Sequence, residues 1–231
     1  MQDLESSEGP DGTRISVEQR YRDLYSENDW FQNQYRTNRR EFYDSVLKIV
    51  QDSKVTRCLD VGCSYGLMVE LMNQHNIDAS GVELHIDELV EFHKGLPYSK
   101  GKFLYGSAND QGFIDSLGGT WPGAIAVIET LRNLENPGLL ARLKPELIII
   151  REISNNRRNR TKRAQEFDIR LYSPVDLLQI FPEYECWAIY FFRSSLKINK
   201  PLGFVLHIIN GVFPSYTVVL KRKTLSANGK F

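Results

Sequence analysis

The segment Val55-Thr-Arg-Cys-Leu-Asp-Val-Gly-Cys-Ser-Tyr-Gly66, read together with Ser80-Gly-Val-Glu83, constrains this chain more than any other feature. An apolar strand runs into a glycine-bearing turn, and an amphipathic helix follows. A second strand then ends on a carboxylate about 20 residues after the first glycine, the spacing of a nucleoside-binding α/β crevice. Asp60 closes the first strand. Gly62 allows the tight turn, and Gly66 lets the helix start pack close to the strand. Helix amides can then face a carboxylate or a phosphate. Glu83 stands where a carboxylate can accept two hydrogen bonds from ribose hydroxyls.

Downstream, strand and helix alternate. The patterns predict strands at 57–61, 79–83, 102–105, 124–128 and 147–150. They predict helices at 67–74, 87–93, 111–117 and 137–143. Such alternation specifies a parallel sheet with helices on both faces. The run Leu147-Ile-Ile-Ile150 suits a central strand buried on both sides. After a polar, basic stretch, Ser173 and Pro174 read as the cap and first residue of a helix. Strands at 185–192 and 216–220, separated by 197–214, predict an antiparallel pair.

Composition narrows the partners. Lys+Arg and Asp+Glu are both 29, so no global field draws the chain to nucleic acid or membrane. The apolar run at 202–212 is too short to span a bilayer and contains His207 and Asn210. The polar, acidic N-terminus is not a signal peptide, so the chain reads as cytoplasmic. Cys58, Cys63 and Cys186 lack C-x-x-C spacing, which argues against a zinc site or a disulfide framework. Cys58 and Cys63 read as small packing residues.

With these residues in view, the sequence resembles the class I S-adenosyl-L-methionine-dependent methyltransferases. Leu59-Asp-Val-Gly-Cys-Ser-Tyr-Gly66 is similar to their first motif and Gly81-Val-Glu83 to their second. Gly106-Ser-Ala108 resembles the third-strand motif. Ile128-Glu-Thr-Leu-Arg-Asn-Leu-Glu-Asn-Pro137 looks like the fourth-strand segment, and Leu143-Lys-Pro145 like the turn before strand five. The resemblance implies a Rossmann-like fold, a mostly parallel seven-stranded sheet with an antiparallel last strand and helices on both faces.

It also implies roles. Asp60, Gly62, Cys63, Ser64 and Gly66 would surround the amino-acid half of the cofactor, S-adenosyl-L-methionine. Glu83 would hold the ribose, Leu84 would flank the adenine, and Ser107 and Ala108 would lie by its edge. Ile128 and Glu129 would line the crevice near the methionine part, with Glu129 and Asn133 as the candidate catalytic residues. Asn133 stands where many relatives place histidine, and asparagine is no general base at neutral pH. Ser64 replaces the family's middle glycine, which is tolerable if that backbone position keeps φ below zero.

The expected organisation is a disordered tail at 1–15, a helical cap at 16–51 and the methyltransferase domain at 52–223. An insert lies at about 195–214, and a tail at 224–231. The expected reaction is direct in-line O-methylation of a small molecule. Arg36, Arg39, Arg40 and the basic run at 155–163 favour an anionic acceptor. The same run leaves an RNA or protein methyltransferase as the alternative. Against base methylation, no N-P-P-Y-type motif follows strand four. A non-catalytic cofactor-binding module of the same fold is the other alternative. The apolar stretch at 204–209 offers a homodimer surface.

Overall fold

The computed structural model describes residues 40–64, 66–85, 87, 102–118, 121, 123–153, 171–191 and 215–224. Most of the expected cap, the basic run, the insert at 195–214 and the tail at 1–15 lie outside them. So does the predicted helix at 87–93, apart from Asp87. The chain divides into two compact units, Met1–Lys48 and Ile49–Phe231. In the first, Tyr43, Val46 and Leu47 are buried at the spacing of an amphipathic helix. They belong to α1 (Arg40–Asp52).

The second unit holds the sheet. Its strands are β1 (Arg57–Val61), β2 (Asp78–Glu83), β3 (Phe103–Tyr105), β4 (Ala124–Ile128), β5 (Leu147–Ile153), β6 (Tyr184–Phe191) and β7 (Ser215–Arg222). They lie in the order β3-β2-β1-β4-β5-β7-β6. β1 to β5 pair in parallel, and β7 runs antiparallel to both β5 and β6. Helices α2 (Leu67–Gln74), α3 (Gln111–Ser116) and α4 (Pro174–Ile180) complete the described elements, with 3-10 helices at Leu131–Asn133 and Pro137–Leu143.

Burial explains the central strands. Cys58, Leu59, Ala124 to Val127 and Ile148 to Ile150 are all essentially inaccessible, as a parallel sheet covered on both faces requires. Leu59, Val61, Ile125, Val127, Ile148 and Ile150 share one core with Val218 and Leu220 of β7. The alternation then puts Asp60, Ala126, Ile128 and Arg151 on the opposite face; Asp60 pairs with Ala126, and Ile128 with Arg151. Both β2 and β4 flank β1, so the strand order reverses there. The crevice above the carboxyl ends of such strands is where open α/β sheets bind ligands.

Two local readings differ from expectation. The segment 137–143 is a 3-10 helix rather than an α-helix. It is seven residues long, opens on Pro137 and Gly138, and stops at Lys144 with φ 47°. Its bonds are of the i to i−3 kind, from the Leu139 amide to the Asn136 carbonyl at 3.1 Å and from the Lys144 amide to the Ala141 carbonyl at 2.9 Å. β5 also runs on to Ile153, carrying Arg151 and Glu152 into the sheet.

The start of α4 follows the sequence signal closely. Ser173 Oγ accepts from the Asp176 amide at 3.2 Å, and Asp176 Oδ2 accepts from the Ser173 amide at 2.6 Å, with Pro174 in the first turn. Ser173→Ala removes half of this reciprocal cap and is expected to cost about 1 kcal/mol. Thermal unfolding monitored by circular dichroism measures it.

Candidate functional site

The turn after β1 is fixed at both ends by close packing. Gly62 has φ 71°, and a Cβ there would lie 2.4 Å from Thr130 Cγ2. Gly66 has φ 73°, and a Cβ there would lie 2.3 Å from the Phe103 ring. Thr130 Oγ1 lies 3.4 Å from the Gly62 carbonyl and 3.2 Å from the Ile128 carbonyl, two acceptors for its single proton. The turn therefore rests on the segment that follows β4, a role for Thr130 that the sequence reading did not include. Cys63 is buried, as expected of a packing residue. Burial, with Asp60 and Glu83 nearby, holds its thiol well above the ordinary cysteine range.

Ser64 does not meet the condition set for a serine at this position. Its φ is 52°, in the left-handed region, rather than below zero. The reason lies 19 residues away: the Ser64 amide donates to Glu83 Oε2 at 2.7 Å. A charge-assisted bond of this length can offset the roughly 1–2 kcal/mol that a left-handed residue costs. Ser64→Gly removes the steric cost and adds unfolded-chain entropy. The expected net result is a gain of about 0.5 kcal/mol, a small upward shift in Tm by scanning calorimetry.

Glu83 is the centre of this geometry. Its Oε1 accepts from the Leu84 amide at 2.8 Å and from the His85 amide at 3.4 Å, while Oε2 holds Ser64. Three backbone donors orient one carboxylate at the end of β2. Asp60 stands nearby at the end of β1, 3% exposed. Among the described residues its carboxylate takes no hydrogen bond or ion pair. Burial, and then the Glu83 charge, push its pKa up to about 7. Two carboxylates have been brought together at the mouth of the crevice, and among the described residues no cationic side chain pairs with Asp60.

Ser107 and Ala108 follow β3 beside this mouth. The Gly106 amide donates to the Glu83 carbonyl at 3.1 Å, and Ser107 Oγ accepts from the Asn109 amide at 3.1 Å. Ala108 is buried.

The second group of predicted residues follows β4. Glu129 has φ 56°, and its amide donates to the Arg151 carbonyl at 2.7 Å. Such a backbone at a strand end is strained and is often found at functional positions. Its Oε2 lies 3.4 Å from Arg132 Nη2, and Arg132 Nε donates to the Glu129 carbonyl at 3.0 Å. Arg132 Nε is also 3.9 Å from Glu152 Oε2. Glu152 is buried, and burial outweighs the Arg132 charge, so its pKa rises to about 7. Asn133 sits on the same 3-10 helix but is exposed. Arg132, Arg151 and Glu152 were missed by sequence reasoning. The available signal was a pair of opposite charges, Arg151-Glu152, ending an otherwise apolar strand.

These features decide the fold comparison. The strand order, the antiparallel β7 and the glycine turn facing a carboxylate at the end of β2 occur together. The chain has the class I methyltransferase fold. No protein-family model matches the sequence, and neither does any curated protein. Among solved structures with this methyltransferase fold, a SAM-dependent methyltransferase from Archaeoglobus fulgidus is 17% identical. It covers 84% of this chain and 100% of its own length, with a TM-score of 0.58. The magnesium protoporphyrin IX methyltransferase of Synechocystis, with bound SAH, is 14% identical over 88% of this chain and 93% of its own, with a TM-score of 0.58. A SAM-dependent methyltransferase from Anabaena variabilis is 14% identical over 96% of this chain and 100% of its own, again with a TM-score of 0.58. At these identities the methyltransferase likeness is one of architecture.

Proposed function

We propose that the chain is an S-adenosyl-L-methionine-dependent methyltransferase that passes the methyl group in line to an oxygen of a small-molecule acceptor. The observation that carries this reading is the pair Asp60 and Glu83 across the Gly62–Gly66 turn: one carboxylate braced by three amides, the other buried without a partner. Glu83 Oε2, which accepts from one amide only, keeps acceptor capacity for a ribose hydroxyl. Asp60 offers a negative charge to the ammonium end of the cofactor. The turn amides at Gly62, Cys63 and Ser64 shape the space beside it. Leu84, Ser107 and Ala108 would flank the adenine, and Ile128 the methionine chain. When bound, the cofactor supplies a methyl group already activated on a sulfonium.

What this fold must add is alignment, which converts an encounter of two reactants into an effectively intramolecular step. Glu129 is the candidate residue nearest the transfer, and Asn133 the next. Among the described residues no helix is long and apolar enough to cross a membrane, and no group of histidine, cysteine and carboxylate residues could hold a metal. A small acceptor accords with the Synechocystis protein of the same architecture, which acts on magnesium protoporphyrin IX by its name.

Asp60 makes the reading testable by pH. Its carboxyl is raised from 3.8 to about 7 in the fold. The folded protein therefore prefers the protonated form. That contribution to stability is full below the ordinary carboxylate range and is lost as pH rises through about 7. A cationic ligand needs the ionised form. Affinity for S-adenosylmethionine is thus expected to fall by up to about tenfold per pH unit below 7 and to level off above it. Asp60→Asn should bind more weakly with a flat profile. Calorimetric titrations between pH 5.5 and 8.5 check this, and a flat wild-type profile would remove Asp60 from the cation contact.

A further inference from the structure

Glu152 is the penultimate residue of β5, near the carboxyl ends of the strands where the crevice lies, and it is 2% exposed. Its two oxygens live in different surroundings. Oε2 faces Arg132 Nε at 3.9 Å, and the backbone amides of Leu131 and Arg132 also stabilise the charged carboxylate. Oε1 is buried, with no hydrogen-bond partner among the described residues. Leaving a buried carboxylate oxygen without a donor is costly, and a leucine of similar volume would avoid that cost. The charged and titratable groups that face it among the described residues do not supply the donor. Arg132 is turned to Oε2 and Glu129. Tyr216, opposite Glu152 on β7, donates its hydroxyl to the Tyr172 carbonyl at 2.7 Å.

We propose that Glu152 is an acceptor-positioning residue: its Oε1 receives a hydrogen bond from a hydroxyl or amine of the methyl acceptor, so this protein selects acceptors that carry such a donor. The proposal rests on the methyltransferase reading and deepens it. Placement supports it. The 3-10 helix at Leu131–Asn133 sits over the end of β5, so the carboxylate lies beneath the segment carrying Glu129 and Arg132. Alternation places Glu152 on the face opposite Asp60, so changing it leaves the Asp60–Glu83 group intact.

The test uses protein saturated with S-adenosylhomocysteine and labelled with carbon-13 at the glutamate side-chain carboxyls. The Glu152 resonance is assigned by its loss in Glu152→Gln. Phenol, benzyl alcohol and benzylamine serve as donor probes, with anisole and N,N-dimethylbenzamide as acceptor-only controls of similar size. The expected result is a saturable shift of the Glu152 resonance by at least one donor probe and by neither control. Glu152→Leu should weaken that probe at least tenfold and leave S-adenosylhomocysteine affinity within threefold. If no probe moves the resonance, or donors and controls move it alike, the oxygen is a structural group and the proposal fails. The wild-type resonance decides even where Glu152→Leu does not fold. Loss of S-adenosylhomocysteine binding by the wild type would strike the cofactor reading instead.

Discussion

Glu83→Ala is expected to lower the affinity for S-adenosylmethionine and S-adenosylhomocysteine at least about 100-fold, some 2.7 kcal/mol. The substitution acts twice. It removes the carboxylate proposed to hold the ribose, and it releases the amides of Ser64, Leu84 and His85. Bonds to a charged acceptor are worth about 1.5–3 kcal/mol each, and donors left buried incur a further cost. Ser64 also loses the contact that holds it at φ 52°, so the turn is expected to relax away from the binding geometry. Glu83→Gln separates the two effects. Its single amide oxygen can replace one bond but not the charge, so it should recover part of the stability and little of the affinity. Calorimetry and thermal unfolding on the same samples check both. Affinity within threefold of wild type in Glu83→Ala would place the ribose elsewhere.

Gly66→Ala is expected to be strongly destabilising. The residue sits at φ 73°, where an L side chain costs roughly 1–2 kcal/mol. The added Cβ would also fall 2.3 and 2.4 Å from two atoms of the Phe103 ring. Phe103 is buried in β3 beside β2, so the ring has little room to retreat, and overpacking adds about 1–3 kcal/mol. Together these give about 3 kcal/mol, or a fall in Tm of roughly 6–12 °C for a chain of this size. Adding Phe103→Leu should relieve the clash but not the backbone cost, so the double variant should recover only part of the loss relative to Phe103→Leu alone. A loss under about 1 kcal/mol in Gly66→Ala would mean that the turn adapts, and that its glycines do not fix the crevice.

Much of this fold was legible because its signals are local. Strand 57–61 and helix 67–74 were bounded by the glycine turn itself, and the Ser173-Pro174 start by its own cap. The apolar run 147–150 could only be a buried strand. What escaped depends on contacts distant in sequence. Ser64 adopts a positive φ because of Glu83, and no property of serine announces that. Arg151 and Glu152 lie beyond the predicted end of the apolar strand at 150. They stay in β5 because its pairing with β7 continues through Glu152–Tyr216 and Ile153–Ser215. Thr130 gave no sequence signal, since its role is to meet a glycine 68 residues earlier. The candidate site divides along the same line. The Asp60–Glu83 half follows from motif spacing, whereas the Arg132–Glu152 half exists only once β4 and β5 are side by side.

The most direct test of the central claim is a calorimetric titration of the wild-type protein at pH 8 with S-adenosylmethionine and S-adenosylhomocysteine. The account predicts saturable, one-to-one binding of both ligands with micromolar affinity. Absence of heat and of thermal stabilisation with either ligand would contradict it, leaving a methyltransferase fold whose paired carboxylates serve another cation.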